Sequence, residues 1–181
     1  IVEILLKFGA KPRLKTSDKS TAMIAAAING SKKISSLLLH ADHRAIHDRD
    51  INGWYPLHFA SKCGNERLVE FLLSRKGIQV DCRTKFGQSP LHLACRFSGS
   101  KEVVKLLLQN EANIEAKDNG EYGFQTPLLF ACEGGFSVVV GILLRKGANY
   151  LYQNAIGETG DQIAKKNSFP TVSSVIKYYL K

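Results

Sequence analysis

The segment at residues 50–60, DINGWYPLHFA, returns along the chain in altered form and decides the fold. A second copy at residues 84–94, TKFGQSPLHLA, places Pro90 34 positions after Pro56. A third copy, QTPLLFA at residues 125–131, has its proline 37 positions further on. Repetition at about 33 residues indicates stacked helical hairpins, because a single hairpin cannot bury its apolar faces and needs neighbours to cover them. The sequence therefore predicts an all-α solenoid.

Each copy also carries the signals that begin and end a short helix. The proline suits the first helical position, where no amide donor is needed. Ser89 and Thr126 precede their prolines, and a hydroxyl there accepts a hydrogen bond from a free helical amide. Tyr55 holds the same place in the first copy, but a phenol cannot make that short bond. Two departures from the pattern stand out: one extra residue before Gly99, and a longer loop at residues 118–124.

These residues resemble the ankyrin repeat, whose pattern runs roughly D-x-x-G-x-T-P-L-H-x-A-A-x-x-G-x-x-x-V-V-x-L-L-L-x-x-G-A. The match at residues 50–77 is close, and the match at 84–112 is closer. The resemblance implies a single ankyrin-repeat solenoid over 1–181, made of helix-turn-helix units with β-hairpin-like loops. The expected units are a partial unit at 1–15, units at about 16–48, 49–82, 83–116 and 117–152, and a C-terminal capping unit at 153–181. The first segment, IVEILLKFGA, reads as a second helix, so a fragment of a longer protein is expected.

The composition says more about the class of partner than about the fold. A formal net charge of +9 and a pI near 9.4 favour an acidic protein, nucleic acid or an anionic membrane surface, although such charge also serves solubility alone. No apolar run approaches the ~20 residues that cross a membrane. The four cysteines include no CxxC pair, and free thiols favour an intracellular location, cytoplasmic or nuclear. Cys95 and Cys132 follow the alanine of the repeat and are expected in the core.

The sequence carries no pattern for catalysis. It lacks a phosphate-binding GxxxxGK[ST] loop and a GxSxG nucleophile motif, so we expect neither an enzyme nor a cofactor. The resemblance implies that His58 and His92 make structural hydrogen bonds between loops. Three further histidines, His40, His43 and His47, cluster in the second unit, but no cysteine or carboxylate completes an obvious zinc set there, and no metal site is expected.

Partners of ankyrin repeats usually meet the loop tips and the exposed face of the first helix of each unit. Carried over residue by residue, this implies a partner-binding set rich in the residue types enriched at binding hot spots: Trp54, Lys62, Lys85, Phe86, Arg96, Phe97, Tyr122 and Phe124. Two other interpretations remain open, namely that the aromatic side chains pack on neighbouring loops and that the cations are simply solvated.

The expected function is a non-enzymatic protein-interaction module or scaffold. Its concave face would bind an acidic or mixed acidic–apolar segment of another protein, and the chain itself would be a monomer. One alternative is nucleic-acid or anionic-lipid binding through the basic surface. Another is the recruiting or regulatory domain of a larger enzyme or channel.

Overall fold

The structure, a computed structural model, describes residues 1–121 and 123–179, and this part of the chain contains helices and no β-strand. The first helices of successive units are α2 Ala22–Ile28, α4 Pro56–Lys62, α6 Pro90–Leu93, α8 Pro127–Glu133 and α10 Gly160–Lys166. The second helices are α1 Val2–Lys7, α3 Lys32–Ala41, α5 Glu66–Leu73, α7 Lys101–Gln109, α9 Ser137–Arg145 and α11 Pro170–Tyr179. First helices pack on first helices and second helices on second helices, so the chain forms two layers. The predicted all-α solenoid is confirmed.

The helices begin where the sequence predicts. Pro56, Pro90 and Pro127 each hold the first position of their helix. The hydroxyls of Ser89 and Thr126 accept hydrogen bonds from backbone amides three residues further on, at 3.4 Å in both cases. Tyr55 makes no side-chain capping bond, as its phenol predicts.

The loops between units form a second, continuous connection along the stack. Each loop is closed by a backbone bond, such as the one from the Thr84 amide to the Gln88 carbonyl at 3.0 Å. In the unit at 117–152 the equivalent bond joins Asp118 to Gln125 at 3.1 Å, so this loop holds three additional residues and the predicted insertion is confirmed. Adjacent tips are joined directly, because the Lys85 amide donates to the Asn52 carbonyl at 2.9 Å. We call the side of the stack that carries these loops and the first helices the loop face.

The extra residue before Gly99 lies within a helix and not within a loop. Residues Ala94–Ser98 form a π-helical turn directly after α6, and such turns accommodate single-residue insertions. Gly99 then ends the turn with a φ of 58°, and a Cβ atom at this position would lie 2.3 Å from the Phe136 ring. The insertion therefore depends on a glycine. It places Arg96 and Phe97 in an irregular turn at the surface.

The core is a continuous apolar strip between the two layers. Leu57 is buried in the unit at 49–82, Leu91 and Leu107 are buried in the next unit, and Phe130 is fully enclosed in the one after. Cys95 and Cys132 are also fully buried, which confirms their predicted place in the core. Within the described ranges, none of the helices has the length and apolar character needed to cross a lipid bilayer.

Candidate protein-interaction surface

The surface begins at Trp54, which lies two positions before α4 and closes its loop by accepting the Asp50 amide at its carbonyl, at 3.1 Å. Its ring packs on Phe59, with 5.0 Å between ring centres. Lys62, one turn after Phe59 on the same face of α4, holds its Nζ atom 5.2 Å from the centre of the Trp54 ring. Both distances are within the range of favourable aromatic and cation–π contacts. Trp54 therefore lies along the exposed side of α4 and does not project freely from the loop.

Lys62 also reaches the next unit. Its Nζ atom lies 5.0 Å from the centre of the Phe97 ring, so one ammonium group contacts two aromatic rings from different repeats. Among residues 1–121 and 123–179, no carboxylate lies within ion-pair distance of this ammonium group. The two rings hold the Lys62 ammonium group by cation–π contacts, but they do not neutralise its positive charge.

Arg96 continues the arrangement toward the unit at 117–152. Its guanidinium carbon lies 5.3 Å from the Phe97 ring centre and 5.0 Å from that of Phe130. The Nη2 atom also lies 3.9 Å from a carboxylate oxygen of Glu133. Aromatic rings and cations thus alternate across three repeats. We call this set the cation–aromatic row: Trp54, Lys62, Phe97, Arg96 and Phe130.

Four of the predicted partner-binding residues, Trp54, Lys62, Arg96 and Phe97, therefore come together, whereas Lys85, Phe86 and Phe124 lie on loops. Lys85 and Phe86 occupy a loop tip, where the Lys85 side chain is exposed and the Phe86 side chain is partly buried. Phe124 lies in the enlarged loop, 49% exposed, with its ring against Gly120. In the part of the chain that the structure describes, no ring or ion-pair contact joins Lys85 or Phe124 to the cation–aromatic row. Tyr122, the eighth predicted residue, lies outside the described residues.

Sequence reasoning missed two aromatic residues of this surface. Phe59 and Phe130 both occupy the variable position of the first helix, directly before its alanine. Phe130 is fully buried, yet it receives the Arg96 guanidinium on its ring. The sequence feature that could have identified them is the recurrence of phenylalanine at a position where the repeat pattern specifies no residue type.

His58 and His92 connect adjacent loops, as predicted. Nδ1 of each ring accepts the amide of the capping residue, at 3.1 Å in both cases. Nε2 must then carry the proton, and it donates to the carbonyl of Gln88 at 3.1 Å from His58 and to that of Gln125 at 3.2 Å from His92. Burial lowers the pKa of each imidazole to about 4. Both histidines therefore hold the loops in position as neutral groups.

The cysteines have the environment of structural residues. Burial raises the pKa of Cys82 and Cys132 to about 12, and it raises the pKa of Cys95 as well. A buried thiol of this kind is a poor nucleophile, because the thiolate is the reactive form. Outside the undescribed positions, no group of three or more His, Cys, Asp or Glu side chains is arranged to hold a metal ion.

Comparison with known proteins agrees with this architecture. The family described as ankyrin repeats (3 copies) matches residues 1–84, 37–118 and 76–154. Alpha-latrotoxin-Lg1a of Latrodectus geometricus is 31% identical over 176 residues, which is 96% of this chain but 13% of the toxin. The human SH3 and multiple ankyrin repeat domains protein 2 is 30% identical over 134 residues, 74% of this chain and 7% of that protein.

A human ion channel is also similar to part of the chain. Transient receptor potential cation channel subfamily A member 1 is 33% identical over 106 residues, 59% of this chain and 9% of the channel. The chain thus spans only a small part of the length of each of these relatives. Ankyrin repeats are generally non-enzymatic and mediate interactions between proteins. Both the stacked helix pairs and the family match over residues 1–154 lead to one conclusion: the chain belongs to the ankyrin repeat family.

Proposed function

We propose that this chain is a non-enzymatic protein-interaction module that binds a partner segment on its loop face, the face expected to be concave. The observation that carries the proposal is the cation–aromatic row, which places rings and cations from two repeats side by side at the surface and rests on the buried Phe130 ring of a third. Tryptophan and arginine are the residue types most often found at binding hot spots. The family supports this choice of surface, since partners of ankyrin repeats usually meet the loop tips and the exposed face of the first helix.

The chemistry of the row favours a segment that is both acidic and apolar. Trp54 and Phe97 offer partly exposed rings for an apolar anchor. Lys62 lies between these rings with its charge uncompensated, so a carboxylate on the partner would gain a charge-assisted contact there. Arg96 contributes less attraction, because Glu133 already lies near its guanidinium group. The net charge of +9 also favours a negatively charged partner.

A rigid scaffold strengthens such binding. The row is attached to helices whose apolar sides are buried, and the loops beside it are joined by backbone hydrogen bonds. Binding therefore orders few side chains, and less of the contact energy is lost to conformational entropy.

The single tryptophan of the chain gives a direct test, because Trp54 reports on its own surface. Trp54 fluorescence is titrated with peptides that alternate glutamate with leucine or phenylalanine, and with matched peptides in which lysine replaces glutamate. We expect saturable binding of the acidic set alone, weakened about tenfold by Lys62→Gln. The matched control is Lys105→Gln, an exposed lysine on α7 that should leave binding unchanged. Equal binding of both peptide sets, or equal loss in both variants, would refute the proposed chemistry.

Nucleic-acid binding is the second candidate, and the same row favours it. Alternating rings and cations resemble the stacking platforms that hold single strands without sequence preference. Single-stranded oligonucleotides are titrated at several salt concentrations, since phosphate contacts make binding weaken steeply as salt rises. Tight, salt-sensitive binding of unrelated sequences, together with no response to acidic peptides, would establish this second function in place of the first.

We further propose that the module recruits partners for a longer protein and works inside the cell. The relatives are much longer than this stretch, which supports a recruiting or regulatory part of a larger chain. The four free thiols support a reducing compartment. The full-length sequence, expressed with a fluorescent tag, tests both statements; secretion or formation of disulfides would contradict the location.

A further inference from the structure

His40, His43 and His47, which match no zinc-binding pattern, lie close together on the side of the stack opposite to the loops. His40 lies in the last turn of α3, and His43 and His47 begin and end the 3-10 helix His43–His47 that follows it. All three line one cleft of about 480 Å³ between this segment and the second helix of the next unit, α5. The cleft is distinct from the cation–aromatic row.

The floor of the cleft is apolar. Ile46 and Phe71 are only 5% and 9% exposed, and Leu39 packs beside them at the edge of the core. These residues come from three different elements, α3, the 3-10 helix and α5, so helix packing holds the floor in place. An apolar group that enters the cleft would meet a preformed surface.

The rim of the cleft is basic. Arg75 and Lys76 line it from the end of α5, and the Arg75 guanidinium lies 4.5 Å from the centre of the Phe71 ring. Lys32 from α3 approaches the same ring at 5.8 Å. Together with the three histidines, these cations surround the apolar floor.

The nearby carboxylates do not offset this charge. Asp42 is bound by Arg44 at 2.9 Å, and Asp48 is bound by Arg13 at 2.7 Å. The two acidic residues of α5, Glu66 and Glu70, line a separate groove between α5 and α7. Within the described part of the chain, therefore, no carboxylate lines the histidine cleft.

We propose that this cleft is a binding site for a small amphipathic anion, an alkyl chain or aromatic ring that carries a carboxylate, sulfonate or phosphate. The apolar part lies on Phe71 and Ile46, and the anionic group is held by Arg75, Lys76 and the histidines. A volume of about 480 Å³ is typical of sites for small molecules. The imidazole N–H groups can donate hydrogen bonds to the anionic group beside Arg75 and Lys76.

The test uses 1-anilinonaphthalene-8-sulfonate as a fluorescent probe, displaced by octanoate or by the neutral alcohol octanol. We expect saturable probe binding that octanoate reverses and octanol does not. The double variant Arg75→Gln/Lys76→Gln should weaken octanoate binding about tenfold, as expected for the loss of charge-assisted contacts. The matched control is Arg145→Gln/Lys146→Gln, which removes the same exposed dipeptide from the end of α9 and should leave binding unchanged.

A second measurement isolates the histidines. The variant His43→Ala/His47→Ala, whose helical content is verified by circular dichroism, should weaken octanoate binding severalfold, because it removes two donors from the cleft. Equal displacement by octanol, no effect of removing Arg75 and Lys76, or unchanged octanoate binding in the histidine variant would overturn the proposal. Binding of an acidic amphipathic peptide without any binding of octanoate would overturn it in favour of a protein-docking site.

Discussion

The ammonium group of Lys62 lies 5.0 Å from the ring centre of Phe97, although the two residues belong to different repeats. Lys62 ends α4, whereas Phe97 projects from the π-helical turn after α6. The extra residue before Gly99 therefore has a consequence for the surface: Phe97 contacts the end of the preceding first helix. Two adjacent units are coupled through a cation and a ring without an ion pair.

We predict that this contact between Lys62 and Phe97 contributes measurably to the free energy of unfolding. In a double-mutant cycle with Lys62→Gln and Phe97→Leu, the interaction energy should be about 0.5–1 kcal/mol, the range for cation–π contacts at partly exposed sites. Urea unfolding of the parent, both single variants and the double variant supplies the four free energies of unfolding. Strictly additive single effects would mean that the two groups do not interact in solution.

Leu107 should be far more important for stability than an exposed leucine of the same array. It is fully buried in α7, in an inner unit packed on both sides, whereas Leu151 is 64% exposed. Leu107→Ala is expected to lower the free energy of unfolding by about 2–5 kcal/mol, the usual cost of a cavity in a packed core. Leu151→Ala is the matched control and should cost below about 0.5 kcal/mol. Similar losses for the two variants would contradict the assigned packing.

The buried histidines predict destabilisation in acid. Their folded-state pKa of about 4 lies below the value of about 6.5 expected in the unfolded chain. The unfolded state therefore takes up protons first as pH falls, so the stabilisation is complete above about pH 6.5 and is lost progressively toward pH 4.

Melting temperatures measured from neutral to acidic pH test this sign. The variant His58→Gln/His92→Gln should be less stable at neutral pH but should vary less with pH between about 6.5 and 4.5. His43→Gln, which replaces an exposed histidine, should keep the pH dependence of the parent. A parent protein whose stability rises on acidification would contradict the neutral, hydrogen-bonded state of these rings.

Thiol chemistry gives an independent measure of the core. Cys63 is exposed, whereas Cys82, Cys95 and Cys132 are buried with raised pKa values. A thiol-reactive chromogenic disulfide should therefore label one cysteine rapidly in the native protein and all four in denaturant. Cys63→Ser should remove the rapid phase. Rapid labelling of two or more cysteines would show that the helices do not pack as described.

Much of the architecture could be predicted because its signals are local. Pro56, Pro90 and Pro127 mark helix starts, Ser89 and Thr126 supply caps, and the spacing of these residues reveals the stack. Comparing the lengths of the repeats reveals the extra residue before Gly99, but it does not predict that this residue forms part of a π-helical turn. An insertion can be absorbed by a loop or by a helix, and a residue count does not distinguish the two.

The candidate surface was predictable only in part, for a different physical reason. Trp54, Lys62, Arg96 and Phe97 were identified because partners of ankyrin repeats usually meet these positions. Phe130 is buried and also contacts the Arg96 guanidinium. A phenylalanine at this position is expected for burial alone, so the sequence does not reveal its second role. His43, His47, Phe71 and Arg75 line one cleft although they come from two separate repeats, and no local sequence pattern encodes that arrangement.

The most direct test asks which face of the stack binds the partner. A peptide selected by binding to the parent is measured by fluorescence anisotropy against Trp54→Ala and Phe97→Ala on the cation–aromatic row. The control variants are Val138→Ala and Tyr178→Ala, exposed residues on second helices, and unchanged melting temperatures verify folding. Our account predicts a loss of about 2 kcal/mol or more for Trp54→Ala and a clear loss for Phe97→Ala, with parental affinity for both controls. Parental affinity in the row variants, with binding abolished by Val138→Ala or Tyr178→Ala, would contradict it.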